Sequence, residues 1–186
     1  MRRVIVLVAT GDYYGDPWWV ENMEHMLLES GTDYDYLQVV RDEVYGGVFD
    51  KLTIFERFQD SSTEYLYLDL DMTIHDSLDH LYRKDLTVLH AWWREKLHTP
   101  LNSSVISWTG NYSWIHTVFA QDPEYFMLKY QKGIDQYLYE IQKPKKYGPV
   151  CNSMRYGGWN DLWPICLFNQ RSDTMRSEGP WQKYLL

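Results

Sequence analysis

Three short segments that are rich in apolar and aromatic residues constrain the fold of this chain more than any other feature. They cover residues 4–9, 34–40 and 65–71. The first segment is a continuous apolar run that ends in turn residues, which is typical of a strand buried on both faces, and the other two are predicted as the second and third strands. Between the first two segments, residues 17–28 carry apolar side chains at helical spacing. Strands that alternate with helices predict an α/β fold with a mostly parallel central sheet.

The rest of the chain extends this pattern. Pro17 can open the first long helix, and Ser30-Gly31 can end it. Residues 51–58 have helical spacing, and residues 78–82 predict a short helix. Further strands are predicted at 86–91, 104–108 and 165–168. A long helical region is predicted over residues 123–140, with an interruption near Gly133.

The composition is that of a globular domain. With 186 residues, 45% hydrophobic and 24% charged, the chain is long enough for one domain with a real core. It has 18 Lys and Arg against 26 Asp and Glu, a formal net charge of -8. This balance argues against nucleic acid as a partner, because non-specific binding relies on a positive field. A phosphate-bearing ligand is still compatible, because a bound divalent cation can reverse the local sign.

Cysteine content and hydropathy predict a location. The two cysteines, Cys151 and Cys166, are too few for a disulfide scaffold. No run of about 18 apolar residues is present, so no membrane span is predicted. The apolar run after Met1-Arg2-Arg3 is short and soon followed by Gly11, which favours a strand over a signal peptide. We therefore expect a reducing, cytoplasmic location.

Aromatic residues are unusually frequent, with 9 Trp and 16 Tyr. Large rings fill cores, and their faces also pair with the apolar faces of sugars or with nucleobases. The sequence leaves both interpretations open for each ring.

Asp69 and Asp71 follow the apolar segment Tyr65-Leu-Tyr-Leu. On a strand, residues two apart point to the same face. Two carboxylates so placed repel each other unless a cation or a proton lies between them. Mg²⁺ and Mn²⁺ prefer oxygen ligands. The pair therefore predicts a metal site at a strand end, with solvated or capping carboxylates as the plainer alternative.

A phosphatase is an alternative interpretation of the same residues. The segment from Asp69 through Asp71 to Thr73 resembles the Asp-x-Asp-x-Thr loop of haloacid-dehalogenase-type phosphatases. In that family the first Asp attacks phosphorus and the second acts as acid and base. That loop usually follows the first strand, whereas here two predicted strands precede it, and no convincing later acidic pair is found.

Four further segments lie around the acidic pair, at residues 8–13, 47–55, 101–108 and 133–136. Their order resembles that of GT-A-fold glycosyltransferases, in the branch of glycogenin-like and lipopolysaccharide-type sugar transferases. Residues 8–13 resemble the loop that holds the base and ribose of a nucleotide sugar. Residues 47–55 resemble the Lys-bearing helix before the metal strand. Residues 101–108 are similar to an Asn-Ser-Gly-Val strand along the donor sugar, and 133–136 to a Gly-Asp-Gln element whose Asp faces the reacting centre.

This resemblance implies a single-domain, GT-A-like (Rossmann-like) α/β/α sandwich. The implied activity is metal-dependent transfer of a sugar from a nucleoside-diphosphate sugar to a glycan or other hydroxyl acceptor. Within the domain of residues 1–186, the nucleotide-binding part would cover about 1–100 and the sugar and acceptor part about 101–170. Residues 171–186 would form a C-terminal tail.

The resemblance also implies roles for particular residues. The implied nucleotide-binding residues are Thr10, Gly11, Tyr13, Lys51 and Asp69, with Arg171 as a further cation for the phosphates. The implied sugar-binding residues are Asn102, Ser103 and Gln136, and the implied catalytic residue is Asp135. The implied ligands of Mn²⁺ or Mg²⁺ are Asp69, Asp71 and Asn169. Plainer roles also fit: Lys51 as a solvated lysine, Asn102 as a partner of the backbone, and Asp135 as a helix cap.

Asn169 marks a departure from the family pattern. Many metal-using relatives have Phe-His-Gly near the end of the fold, and their His completes the metal shell. Here the corresponding stretch, residues 167–170, reads Leu-Phe-Asn-Gln. An amide oxygen binds a hard cation more weakly, and His75 is a looser candidate ligand. A degenerate protein that binds a nucleotide sugar without turnover is therefore a further alternative.

Overall fold

The computed structural model of the chain describes residues 1–94 and 99–186. Within them the strands, in chain order, are β1 (Arg2–Val8), β2 (Tyr36–Val40), β3 (Thr63–Leu68), β4 (Met72–Ile74), β5 (Thr87–His90), β6 (Leu101–Thr109), β7 (Lys145–Lys146), β8 (Cys151–Ser153) and β9 (Ile165–Leu167). The α-helices are α1 (Gly11–Tyr14), α2 (Pro17–Glu29), α3 (Ile54–Arg57), α4 (Trp114–Ala120), α5 (Pro123–Lys129), α6 (Ile134–Ile141), α7 (Met154–Gly157) and α8 (Ser172–Met175). Short 3-10 helices cover Gly47–Thr53, Asp79–Leu81 and Pro180–Tyr184.

A six-stranded central sheet has the order β2-β1-β3-β6-β5-β7. Strand β1 is parallel to both β2 and β3, and β5 is parallel to β7. Among the described strands of this sheet, β6 runs against the others, because it pairs antiparallel with β3 and β5. The predicted mostly parallel sheet is therefore confirmed.

A second, three-stranded sheet has the order β4-β9-β8, and the sequence did not predict it. It explains one wrong prediction, the strand over residues 65–71. The strand β3 ends at Leu68, and the chain bends before it enters β4. The N–H of Asp69 still donates to Ser104 O of the central sheet, at 2.8 Å. The carbonyl of Asp71 instead accepts from Phe168 N, next to β9, at 2.8 Å.

Both faces of the central sheet are covered. Ile5 and Leu7 of β1 belong to one apolar core, which includes the buried residues of α2 and of the small sheet. Val4 and Val6 belong to the other, which includes residues of α3, α4 and α6. Alternate residues of a strand point to opposite faces, so each face needs its own cover. The predicted α/β/α sandwich follows from these two cores.

The helix α2 forms as predicted, because its ends carry strong signals. The Asp16 side chain accepts a hydrogen bond from Trp18 N at 3.0 Å, and Pro17 occupies the first turn. The helix ends before Gly31, whose φ of +68° suits glycine. Its buried face carries Trp19 and Met23, which pack into the core.

The other helical predictions need adjustment. Residues 123–140 form two helices, α5 and α6, with the predicted break near Gly133, whose φ is +81°. Residues 51–58 combine the end of a 3-10 helix with α3, and residues 78–82 contain a 3-10 turn at Asp79–Leu81. The helix α4 was not predicted. In the described part of the chain, no helix has the length and apolar character needed to cross a bilayer.

Candidate functional site

A cavity of about 340 Å³ opens beyond the carboxyl ends of β1 and β3. This is the edge where α/β proteins place ligands. We call it the main cavity. The predicted site residues that line it are Thr10, Lys51, Asp69, Asp71, Asn102, Ser103, Asp135 and Asn169. The fold therefore brings together residues that are up to 159 positions apart in the sequence.

The two carboxylates of the acidic pair have different surroundings. Asp69 Oδ1 accepts from the Tyr67 hydroxyl at 2.5 Å and lies 2.6 Å from Lys51 Nζ. Asp71 Oδ2 accepts from the Tyr14 hydroxyl at 3.1 Å. These side-chain contacts use one oxygen of each carboxylate, so the second oxygen of each can take another ligand.

Burial and mutual repulsion perturb Asp71. Asp71 is only 8% exposed. Burial, and then the charge of Asp69, raise the pKa of Asp71 to about 7, although Lys51 acts in the opposite direction. The second negative charge of the pair is therefore costly unless a cation offsets it.

The raised pKa of Asp71 predicts a pH dependence of stability in metal-free protein. Between the ordinary value of 3.8 and about 7, the folded state keeps a proton that the unfolded state releases. Stability should therefore fall as pH rises through this window, by up to about 1.4 kcal/mol per pH unit. The melting temperature in chelator, measured from pH 4.5 to 7.5, should fall more steeply for the native chain than for Asp71→Asn. Equal slopes for the two proteins would contradict this expectation.

Asn169 supplies an oxygen that lacks a partner. Its Oδ1 is buried, and among the described residues no group forms a hydrogen bond with it. A buried polar atom without a partner costs free energy, which suggests that a ligand satisfies it. No group of three or more His, Cys, Asp or Glu able to hold a metal occurs in residues 1–94 and 99–186. The predicted metal ligands Asp69, Asp71 and Asn169 all offer side-chain oxygens, which suit a hard cation.

Asp135 stands at the start of α6 and faces two donors. Its Oδ1 accepts from Ser103 N at 2.8 Å, and its Oδ2 forms an ion pair with Arg94. Arg94 also donates to Leu101 O. The carboxylate is therefore fixed in position by β6 and by a guanidinium. The prediction of Asp135 did not include Arg94, because nothing in the local sequence links positions 94 and 135.

Asn102 and Lys51 also contact the backbone. Asn102 Oδ1 accepts from Ser104 N at 2.9 Å, which leaves its amide N–H groups for other partners. Lys51 Nζ lies 3.4 Å from both the carbonyl and the hydroxyl of Ser103. Lys51 is thus a cavity residue between Asp69 and Ser103, and not a solvated helix lysine.

A buried carboxylate that the sequence analysis missed shapes one wall of the cavity. Asp50 is fully buried. Its Oδ1 accepts from the backbone N–H groups of Val44, Tyr45 and Gly46, at 2.7–3.1 Å. Its Oδ2 accepts from the Thr10 hydroxyl at 2.8 Å. Asp50 therefore holds the loop before the 3-10 helix against the end of β1.

Five other candidates lie elsewhere. Gly11, Tyr13 and Gln136 are not among the described residues that line the main cavity, and neither is Arg171. Tyr13 donates to Asp173 at 2.7 Å, whereas the next residue, Tyr14, lines the cavity. His75 contacts Thr73 and the carbonyl of Trp163.

The charges that line the main cavity balance. Three carboxylates, Asp69, Asp71 and Asp135, face three cations, Lys51, Arg94 and Lys132, among the described lining residues. Two of these cations are already paired with carboxylates. A diphosphate would add negative charge that this balanced set does not offset, so a bound divalent cation fits the site.

Comparison with solved structures identifies the architecture. The glycosyltransferase GlyE of Streptococcus pneumoniae TIGR4 aligns with a TM-score of 0.66 and 12% identity, over 99% of this chain and 60% of GlyE. An active-site mutant of LgtC aligns with a TM-score of 0.64 and 10% identity, over 98% and 100% of the two chains. The galactosyltransferase LgtC in complex with donor and acceptor sugar analogs aligns at 0.60 and 11%, again over 98% and 100%.

Sequence comparison adds nothing to this result. No protein-family model matches the chain, and a search of curated proteins found no match. At identities of 10–12%, the likeness to solved structures concerns the fold. The chain spans about 60% of the length of GlyE. The order of strands in the central sheet and the layers that cover its two faces agree with the alignments. The chain therefore has the GT-A-type fold of these glycosyltransferase structures.

Proposed function

We propose that the protein transfers a sugar from a nucleoside-diphosphate sugar to a glycan or other hydroxyl acceptor, with Mn²⁺ or Mg²⁺ in the main cavity. The observation that carries this proposal is the unpartnered Asn169 oxygen beside Asp69 and Asp71. The LgtC structure with donor and acceptor sugar analogs supports it, because that protein has the same fold.

The metal would be held by Asp69, Asp71 and Asn169. When bound, it offsets the negative charge that develops on the diphosphate leaving group. Lys51 carries its own positive charge on the cavity wall between Asp69 and Ser103, where it can donate to a phosphate oxygen. The buried setting strengthens these interactions relative to those in bulk water.

The sugar would lie against β6 and the start of α6. The Asn102 amide N–H groups and the Ser103 hydroxyl are suitable partners for sugar hydroxyls. Asp135 is held by Ser103 N and Arg94, so its position is fixed before a donor binds. It would orient the reacting hydroxyl or accept its proton. Arg94 would place a positive charge beside the donor.

The proposed division of the domain follows the same arrangement. Residues from about 1–100 would bind the nucleotide, because they contribute Thr10, Lys51, Asp69 and Asp71 to the main cavity. Residues from about 101–170 would bind sugar and acceptor, because they contribute Asn102 and Ser103. Nucleotide binding by Gly11 and Tyr13 and sugar binding by Gln136 remain predictions, because none of the three is among the described residues that line the main cavity.

A thermal-shift panel tests the proposed function. Diphosphate sugars of uridine, guanosine and other bases would each be added with and without Mn²⁺. A donor at 100 times its Kd should stabilise the protein by about 2.7 kcal/mol, a rise in melting temperature of roughly 5–10 °C. The rise should require Mn²⁺ or Mg²⁺. If no common nucleotide sugar binds with either ion, confirmed by titration calorimetry, the proposal is wrong.

Neither alternative gains support from a specific contact. In the phosphatase interpretation, Thr73 would belong to the nucleophile loop. Its hydroxyl contacts His75 and Trp159, and Thr73 is not among the described lining residues of the main cavity. A degenerate binding protein would bind the nucleotide sugar but show no transfer or hydrolysis over long incubation, which a turnover assay distinguishes.

A further inference from the structure

A second cavity, of about 450 Å³, lies beside β5 and β8. We call it the aromatic cleft and define it by Trp92, Pro149, Val150, Asn152 and Trp163, which contribute to its wall. Trp92 and Trp163 are 44% and 39% exposed. Indole rings are costly to leave in water, so two of them on one open cavity suggest a surface that a ligand covers.

The Trp92 ring of the cleft is held in place. Trp92 Nε1 donates to the Cys151 carbonyl at 3.4 Å, which anchors the ring to β8. Trp92 also packs edge-on against Trp93, with centroids 5.4 Å apart, and Trp93 stacks on Tyr156 at 6.2 Å. A ring with fixed orientation loses little conformational freedom when it binds a ligand.

The chemistry of the cleft favours a neutral ligand. Among the described residues that line it there is no Asp, Glu, Lys or Arg. The main cavity, in contrast, contains three carboxylates and three cations. His90 also lines the cleft, but without Lys or Arg among the described lining residues a phosphate would find little counter-charge there. A sugar ring, in contrast, has apolar faces for the indoles and hydroxyls for backbone groups and the Asn152 side-chain oxygen, since the Asn152 amide nitrogen already donates to Gly158 O.

The two cavities meet at one pair of strands. Leu89 of β5 lines the cleft, and its partner in the ladder, Asn102 of β6, lines the main cavity. Such paired residues lie about 5 Å apart. Beyond β5, Trp92 borders the cleft and Arg94 borders the main cavity. Trp92 and Arg94, the ion-pair partner of Asp135, are two residues apart, so the cleft and the proposed reacting centre lie close together at this segment.

We propose that the aromatic cleft binds a neutral sugar ring of the acceptor glycan. This inference rests on the proposed function, because it assigns the acceptor to a place beside the proposed donor site. The cleft would hold the acceptor by stacking, and the main cavity would hold the donor by charge. Acceptor and donor binding should therefore respond to different substitutions.

The test uses the full chain with Trp92→Ala and Trp163→Ala. The matched control is Trp114→Ala, because Trp114 is 40% exposed on α4 and borders neither cavity among the described residues. A panel of neutral gluco-, galacto- and N-acetylhexosamine oligosaccharides is screened first, and the Kd of the best binder is then measured by calorimetry. Each cleft variant should raise this Kd by about threefold to tenfold, and the control should leave it unchanged.

A second measurement separates the inference from the proposed function. The affinity for a nucleoside diphosphate with Mn²⁺ should be unchanged in both cleft variants. If nucleotide binding is intact but no oligosaccharide binds, or binding is equal in all variants, the cleft proposal alone is wrong. Binding of phosphatidylcholine vesicles through the same two tryptophans, without glycan binding, would also overturn it. Glycan binding that depends on Trp92 and Trp163 supports the cleft even if the nucleotide does not bind.

Discussion

Replacing Asp71 with alanine should abolish metal-dependent nucleotide binding and leave the protein folded. The substitution removes one of the three proposed metal ligands and leaves Asn169, which is neutral, and Asp69, which is already paired with Lys51. We expect at least about a 100-fold loss of nucleotide affinity in Mn²⁺, equivalent to about 2.7 kcal/mol. Turnover should fall by roughly 10²–10³-fold or more, as when a charge-stabilising group is removed. Calorimetry and a donor-turnover assay measure the two effects.

The same variant should lose nucleotide affinity without losing thermal stability. Because burial and Asp69 raise the pKa of Asp71, removal of this carboxylate relieves a cost in metal-free protein near neutral pH. Its melting temperature in chelator should therefore be equal to or above that of the native chain. Asp76→Ala is the matched control, because Asp76 is exposed just after β4. Undiminished, Mn²⁺-dependent nucleotide binding in Asp71→Ala would show that the metal is held elsewhere.

Asp135→Asn should separate turnover from donor binding. Asparagine keeps the shape and can still accept from Ser103 N, but it removes the charge that faces Arg94. A group that orients or deprotonates the reacting hydroxyl contributes about 10²–10⁴-fold to the rate. We therefore expect kcat to fall by about 10²-fold or more, while nucleotide affinity changes by less than about threefold.

The control for this prediction is Asp122→Asn. Asp122 also begins a helix, where it accepts from Tyr125 N at 3.1 Å, and it borders neither cavity among the described residues. It should retain full turnover. A steeper pH dependence of kcat in the native chain than in Asp135→Asn would support a proton-transfer role. Equal kcat values for Asp135→Asn and the native chain would rule out a catalytic role for Asp135.

Local periodicity carried most of the correct fold predictions. Strands β1 and β2 lie in short segments rich in apolar residues, and helix α2 has a clear cap at its start, so local propensity and tertiary packing agree. Strands β7 and β8 have only two and three residues, too few for any period to appear. The strand through Asp71 was predicted too long because its apolar run continues as Leu70 and Met72 into a second sheet.

The part of the candidate site that could be predicted from the sequence is the acidic pair, Asp69 and Asp71. Two carboxylates two positions apart at the end of a predicted strand indicate a cation or a proton between them, because they would otherwise repel each other. Asp50 and Arg94 gave no such signal, because their partners lie in other segments: Thr10 is 40 residues from Asp50, and Asp135 is 41 residues from Arg94. Such partnerships become visible only when the chain is folded. The choice between Tyr13 and Tyr14 likewise depends on the direction of each side chain within α1.

The bend between Asp69 and Asp71 joins two sheets, and the backbone of each of these residues is hydrogen-bonded to a different sheet. The backbone of Asp69 is bonded to β6, whereas that of Asp71 is bonded next to β9, from which Asn169 also follows. An ion shared by these three side chains would act as a cross-link between two separately hydrogen-bonded bodies. The affinity for the metal would then depend on how firmly the two sheets are held in their relative position. A substitution that destabilises the small sheet would therefore weaken metal binding even though no metal ligand is changed.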